Sequence, residues 1–319
     1  MDRAEPARAK RRAHGWLALL ALTLLLGVAL WRLDVPRAFA VMQTANVGWL
    51  LLAVIAFAAI LPLWTLQWWL LAPAGLEATR RRMLEVVATT SSVLNTTPML
   101  VGEATAVVLL VARAGLTRAS ALSVLAMDQL LVGLAKLLVL ATASLLLPIP
   151  VWMRDALFTL FAAVSLLFAA LVSAAWSSVA LSARIDRLTP PRWRGRLGSV
   201  GDTLAPLRSM RRGGGAFLLA LAKKVAEIAG IVCVQHAFAV DLPLASAVLV
   251  LATLNLATLL PVVPGNVGVY EAAVVFAYTR LGIPAERALG IAVVQHACYF
   301  AALALPGYRW VARRGLQPG

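Results

Sequence analysis

An all-α, polytopic membrane fold is the architecture this sequence predicts, and three observations predict it. Of 319 residues, 61% are hydrophobic and 13% charged, about half the charged share of an ordinary soluble domain. Apolar stretches of about 18 residues or more recur along the chain, each long enough to cross a ~30 Å hydrocarbon core as a helix. Lys and Arg gather in the short segments between those stretches. This last pattern also accounts for the net charge of +15, so no nucleic-acid partner is expected.

Six full spans are predicted at 16–33, 47–71, 120–147, 156–181, 216–240 and 285–305. Arg8, Lys10, Arg11 and Arg12 precede the first, and Ala38-Phe39-Ala40 resembles a cleavage site. Arg32, Asp34 and Arg37 fall between run and site, which suits an uncleaved span better than a signal peptide. Two further regions, 83–112 and 244–279, each hold two apolar arms around a Pro/Asn/Gly break. Most arms have about 12–17 residues, short for a span and typical of re-entrant hairpins. Two short crossings would return the chain to the same side, so parity leaves both forms open.

With the N-terminus inside, 23 basic residues face the cytoplasm and five face outward, which places both termini in the cytoplasm. That count includes Lys223 and Lys224. The basic loop at 182–215 reads as a surface linker, with contact to anionic lipid headgroups as the sharper reading, at about 1 kcal/mol per Lys or Arg. Cys233 and Cys298 both fall in apolar segments and imply no disulfide framework.

The first break is Asn95-Thr96-Thr97-Pro98, followed by Gly102-Glu103; the second is Pro264-Gly265-Asn266-Val267-Gly268, followed by Val269-Tyr270-Glu271. With Glu103 placed over Glu271, one residue of slippage aligns Gly115-Leu116 with Gly282-Ile283 and Asp128-Gln129 with Gln295-His296. The chain thus reads as one membrane domain, 1–319, with repeats at about 47–147 and 216–307. The first hairpin starts from the cytoplasmic side and the second from the outer side. Such inverted repeats are the architecture of many secondary transporters, with a midplane site between the halves.

Ionised groups in hydrocarbon are costly, about 2.5–3.5 kcal/mol on insertion scales, so those in spans are the candidates for chemistry. Glu103 and Glu271 each precede a hairpin's second arm, where they either cap that helix or line a polar cavity. Glu227 either pairs with Lys223, four residues earlier, or joins the same cavity. Asp128 and Lys136 lie roughly 80° apart around one span, and each needs a partner. His236 is near the end of its span and reads as interfacial. His296 is mid-span, suited either to proton exchange or to a structural hydrogen bond. Trp49, Trp64, Trp68 and Trp69 read as interface or packing aromatics. No ligand-spaced His/Cys/Asp cluster, P-loop, dinucleotide fingerprint or nucleophile elbow occurs, so no metal or cofactor is expected. The candidate cavity set is Asn95, Pro98, Gly102, Glu103, Asp128, Glu227, Pro264, Gly265, Gly268, Tyr270, Glu271 and His296.

These motifs, with Leu260-Pro261-Val262-Val263 leading into the second break, resemble those of the lysylphosphatidylglycerol synthase transmembrane, flippase-like family over roughly residues 15–310. The resemblance implies lipid translocation in a bacterial inner membrane. It implies no lysyl transfer, since nothing in this chain matches the soluble transferase domain of the bifunctional members. The family often carries Arg after the Gly-Glu, Glu-Arg in the next span and Arg in the last span. Here 104–110 lack Arg, the pair is Asp128-Gln129, and the last-span match is His296. Those departures favour a weakly charged lipid, of hopanoid or isoprenoid type, over an anionic phospholipid. The expected function is a lipid translocase with membrane lipid as substrate. The alternatives are a lipid-modifying membrane enzyme and an accessory subunit of a lipid-biosynthetic complex, with a homo-oligomer or biosynthetic partner open.

Overall fold

The computed structural model describes residues 35–73, 78–97, 99–146, 210–258 and 263–309, with isolated positions between 155 and 166. The expected first span at 16–33, nearly all of that at 156–181, the loop up to residue 209, Pro98 and 260–262 lie outside the described residues. Every regular element described is helical. In order they are α1 (Val35–Gln43), α2 (Val47–Ala58), α3 (Ile60–Leu71), α4 (Arg80–Leu94), α5 (Met99–Ala114), α6 (Arg118–Leu146), α7 (Met210–Ala237), α8 (Leu244–Ala257), α9 (Val269–Arg280) and α10 (Ala285–Leu303).

Among the described residues, three segments are long and apolar enough to cross a membrane: Val47–Leu71, which is α2 running into α3 through Ala59, then Arg118–Leu146 and Ala285–Arg309. The ends of these helices are sealed locally. Asn46 caps α2 by accepting from Trp49 N at 3.3 Å, and its own amide donates to Ala237 O, 2.8 Å away at the end of α7. Thr79 caps α4 by accepting from Arg82 N at 3.3 Å.

α7 has 28 residues, about 42 Å at 1.5 Å per residue, and packs along both α2 and α3. Ala216 and Ala220 are fully buried, and Gly230 leaves room for the Phe57 ring, so the helices approach closely. Gly213-Gly214-Gly215, read as the end of the loop at 182–215, already belongs to α7. Packing overrides the poor helix propensity of glycine. Gly215 lies against Leu70, and the Arg212 guanidinium donates to Leu70 O at 3.1 Å and to Ala72 O, satisfying carbonyls at the end of α3.

The two interrupted regions fold as helix–break–helix units. α4 and α5 have 15 and 16 residues; α8 and α9 have 14 and 12. At 1.5 Å per residue each arm is about 18–24 Å long, short of a ~30 Å core. In each unit the two arms pack on one another, and the second arm packs on the long helix that follows, α5 on α6 and α9 on α10. The two breaks meet. Gly265, at φ +64°, approaches the first break so closely that a Cβ there would lie 2.7 Å from Asn95 O. α4 is also tied to the end of the last helix, where Ser92 Oγ donates to Ala304 O.

The aligned halves make the same kind of contact. Gln129 Nε2 donates to Glu103 Oε1 at 3.3 Å in the first, and His296 Nδ1 pairs with Glu271 Oε1 at 2.7 Å in the second. These are the pairs that the one-residue slippage in the sequence superimposes.

Candidate functional site

Where the breaks meet, a cavity of about 120 Å³ opens among α2, α4, α6, α7, α8, α9 and α10. Asn95, Lys136, Lys224, Glu227, Asn255 and His296 supply its polar wall. Phe57, Tyr270 and Tyr299 supply an aromatic side, with Tyr299 edge-on to Phe57 at 5.5 Å and tilted against Tyr270 at 6.0 Å. A cavity of this volume holds several waters or a small polar group, and not a lipid with its tails.

The second break is shaped by its own backbone. Pro264–Asn266 forms a single 3-10 turn, and Gly265 and Asn266 at the cavity edge both have left-handed φ, +64° and +55°. Gly268 then serves as the N-cap of α9. Glu271, the third residue of α9, reaches back and accepts from Gly268 N at 2.7 Å, half of a capping box at the positive end of the helix. Its other oxygen holds His296, whose ring stacks on Tyr270 with centroids 4.2 Å apart. Gln295 Nε2 donates to Tyr270 Oη at 2.9 Å. A capped carboxylate therefore positions an imidazole and a phenol ring at the cavity wall.

Glu103 has a different setting. α5 begins at Met99, so Glu103 is the fifth residue and lies beyond capping reach. It is partly exposed, meets Gln129, and lies away from the cavity wall. Gly102 is buried against Leu94 of α4. Of the other sequence candidates, Asn95, Gly265, Glu227, Tyr270 and His296 line the cavity, and Pro264, Gly268 and Glu271 form its supporting turn.

The charges are distributed otherwise than the sequence suggested. Lys223 and Lys224 are not cytoplasmic loop residues; each is 6% exposed, deep within α7. Lys223 does not pair with Glu227. It crosses to Asp128 Oδ1 on α6 at 3.5 Å and sits 5.4 Å from the Trp64 ring centre. Trp64 Nε1 donates to Asp128 Oδ2 at 3.2 Å. With Lys223 so engaged, Lys224 takes Glu227, with Nζ 2.8 and 2.7 Å from the two carboxylate oxygens. Adjacent residues point about 100° apart on a helix, which lets two neighbouring lysines serve two different partners. Asp128 and Lys136 do not pair: Asp128 faces α3 and α7, and Lys136 faces the cavity.

Trp64, Lys224 and Asn255 were not among the sequence candidates. Asn255 had a signal, being the lone amide in the apolar arm Leu244–Ala257. Trp64 had none, since one interfacial Trp looks like another. Trp64→Phe keeps a ring beside Lys223 and removes the bond to a buried carboxylate, so it is expected to lower stability by about 1.5–3 kcal/mol. Thermal unfolding in detergent reads this directly, and an unchanged midpoint would assign the Trp64–Asp128 contact no energetic role.

Comparison with curated proteins gave no match, and neither did comparison with solved structures. A family model, described as the lysylphosphatidylglycerol synthase TM region, matches residues 15–307. This multi-pass membrane protein therefore belongs to the lysylphosphatidylglycerol synthase TM region family, and a membrane-lipid-related function follows from that membership.

Proposed function

We propose that the protein is a lipid translocase of the bacterial inner membrane, with both termini cytoplasmic and the two hairpins entering from opposite faces as inverted re-entrant elements. The observation that carries this reading is the polar cavity at the meeting point of the two breaks, inside an otherwise apolar helical body. A headgroup crosses hydrocarbon only at high cost, whereas acyl or isoprenoid tails need no protein route. A cavity sized for a polar group and too small for tails suits that division. Broken backbone survives at membrane depth where it lines such a cavity.

The preference for a weakly charged hopanoid or isoprenoid lipid rested on absent arginines. Lys136 and Lys224 at the cavity, with Lys223 nearby, supply cations from other positions, so that argument no longer separates the lipid classes.

Reconstituted vesicles with fluorescent lipids test translocation. Wild type is expected to flip lipid faster than protein-free vesicles. Glu271→Gln is expected to slow flipping about tenfold, the rate equivalent of losing a charged hydrogen bond. Glu103→Gln, outside the cavity, is expected to stay within about twofold of wild type. Wild-type flipping no faster than protein-free vesicles, or Glu271→Gln flipping at the wild-type rate, sinks the reading.

The Glu271–His296 pair also favours a second reading, lipid modification by acid–base chemistry, because the imidazole faces the cavity and the carboxylate orients it. Lipid mass spectrometry after deletion separates the two. New or missing lipid species favour an enzyme, and unchanged species in the wrong leaflet favour transport.

A further inference from the structure

We propose that Lys136, Lys224 and Asn255 form a receptor for a phosphate-type anion, and that in the membrane this anion belongs to the lipid headgroup. The inference rests on the translocation reading for the ligand's source.

The cavity offers unused donors and no unused acidic oxygen among the charged residues described around it. Lys136 lines the cavity from α6, and among the described residues it has no hydrogen bond or ion pair. Every neighbouring carboxylate is already engaged. Asp128 holds Lys223 and Trp64; both oxygens of Glu227 hold Lys224; Glu271 holds Gly268 N and His296. Lys136 is partly buried, and Glu227, which lines the same cavity, already has both oxygens on Lys224; an ammonium held in an apolar helical body without a bonded anion is costly, so the site is expected to receive one from elsewhere.

Asn255 points to the same ligand independently. It is 6% exposed, lines the cavity, and its Nδ2 has no partner, while its Oδ1 faces Lys224 Nζ at 3.5 Å. The amide thus turns its acceptor to the lysine and its idle donor remains for a ligand. The Lys136 ammonium and the Asn255 N–H₂ offer free donors to the acceptor oxygens of a phosphate, while Lys224, engaged by Glu227, holds the amide in that orientation. A hydroxyl-only headgroup would leave Lys136 uncompensated.

The test is a ligand-dependent thermal shift on the purified full chain in detergent. The probes are short-chain phosphatidylglycerol, diacylglycerol of the same chain length, and inorganic phosphate. Phosphatidylglycerol is expected to raise the wild-type unfolding midpoint saturably, and diacylglycerol is not. Lys136→Met is expected to weaken the phosphatidylglycerol response about tenfold, and Lys136→Arg to keep it within about threefold. Asn255→Leu leaves every charge in place and is expected to weaken it about threefold to tenfold. The inorganic phosphate arm separates the sources: a matching, Lys136-dependent shift assigns the site to free anion, and a shift confined to the lipid assigns it to a headgroup.

Equal stabilisation by diacylglycerol overturns the site, as does wild-type affinity in either Lys136→Met or Asn255→Leu. Should Lys136→Met fail to fold, Asn255→Leu decides alone. Flipping is scored separately in vesicles. Lys136-dependent binding without flipping rejects translocation and keeps the receptor; flipping without it does the reverse.

Discussion

Asp128→Asn is expected to destabilise the protein by about 3–5 kcal/mol, the usual consequence of removing one partner of a buried ion pair. Lys223 and Asp128 have side chains only 7% and 5% exposed, so water cannot replace the lost charge. Asn keeps an oxygen to accept from Trp64, which makes the substitution a test of charge rather than of shape. With two more lysines close by on α6 and α7, the surplus positive charge has no carboxylate to turn to, because Glu227 is already held by Lys224. Thermal unfolding in detergent is expected to show a midpoint lower by roughly 6–15 °C. The double variant Asp128→Asn/Lys223→Met should recover most of the loss, since replacing both members of a buried pair is often close to neutral. A single variant within about 1 °C of wild type would show that Lys223 is solvated or compensated from another direction.

This pair also marks where sequence reading stopped. The helical arms and both breaks were legible, because Pro, Asn and Gly interrupt apolar runs that are otherwise uniform. With Glu103 over Glu271 and one residue of slippage, Gln129 falls over His296, and those are the residues each carboxylate meets. The fate of Lys223 and Lys224 was not legible. Counting positive charge assigns a lysine to a loop unless a partner is known, and the partner of Lys223 lies 95 positions away on another helix. Their place as the eighth and ninth residues of the predicted span at 216–240 was the available clue.

The two glutamates show a finer limit. They look equivalent in sequence, yet Glu271 is the third residue of its helix and Glu103 the fifth of its own. Two residues of difference in where a helix starts decide between capping, which fixes a carboxylate beside His296, and an outward contact with Gln129. Element ends are set by cap geometry and packing, which a run of apolar residues does not encode.

Gly265→Ala is expected to abolish lipid flipping while leaving most of the helical body folded. Two penalties add at this position. A left-handed φ of +64° costs an L-residue roughly 1–2 kcal/mol. The new Cβ would also lie 2.7 Å from Asn95 O, and since that neighbour is backbone, relief requires the two hairpin tips to separate. Separation opens the floor of the cavity that Asn95 and Gly265 share. Gly282→Ala is the matched control. Its φ is +84°, and nothing lies within 4 Å of the added carbon, so it carries the conformational penalty without the collision. Both variants should therefore lose a similar increment from backbone strain, about 1–2 kcal/mol in thermal unfolding, with any further loss confined to Gly265→Ala. Flipping should fall at least about tenfold in Gly265→Ala and stay near wild type in Gly282→Ala, since ~1.4 kcal/mol at the site already corresponds to that factor. If the two variants flip lipid equally well, contact between the hairpin tips is dispensable for transport, and the site must be sought along one hairpin rather than between them.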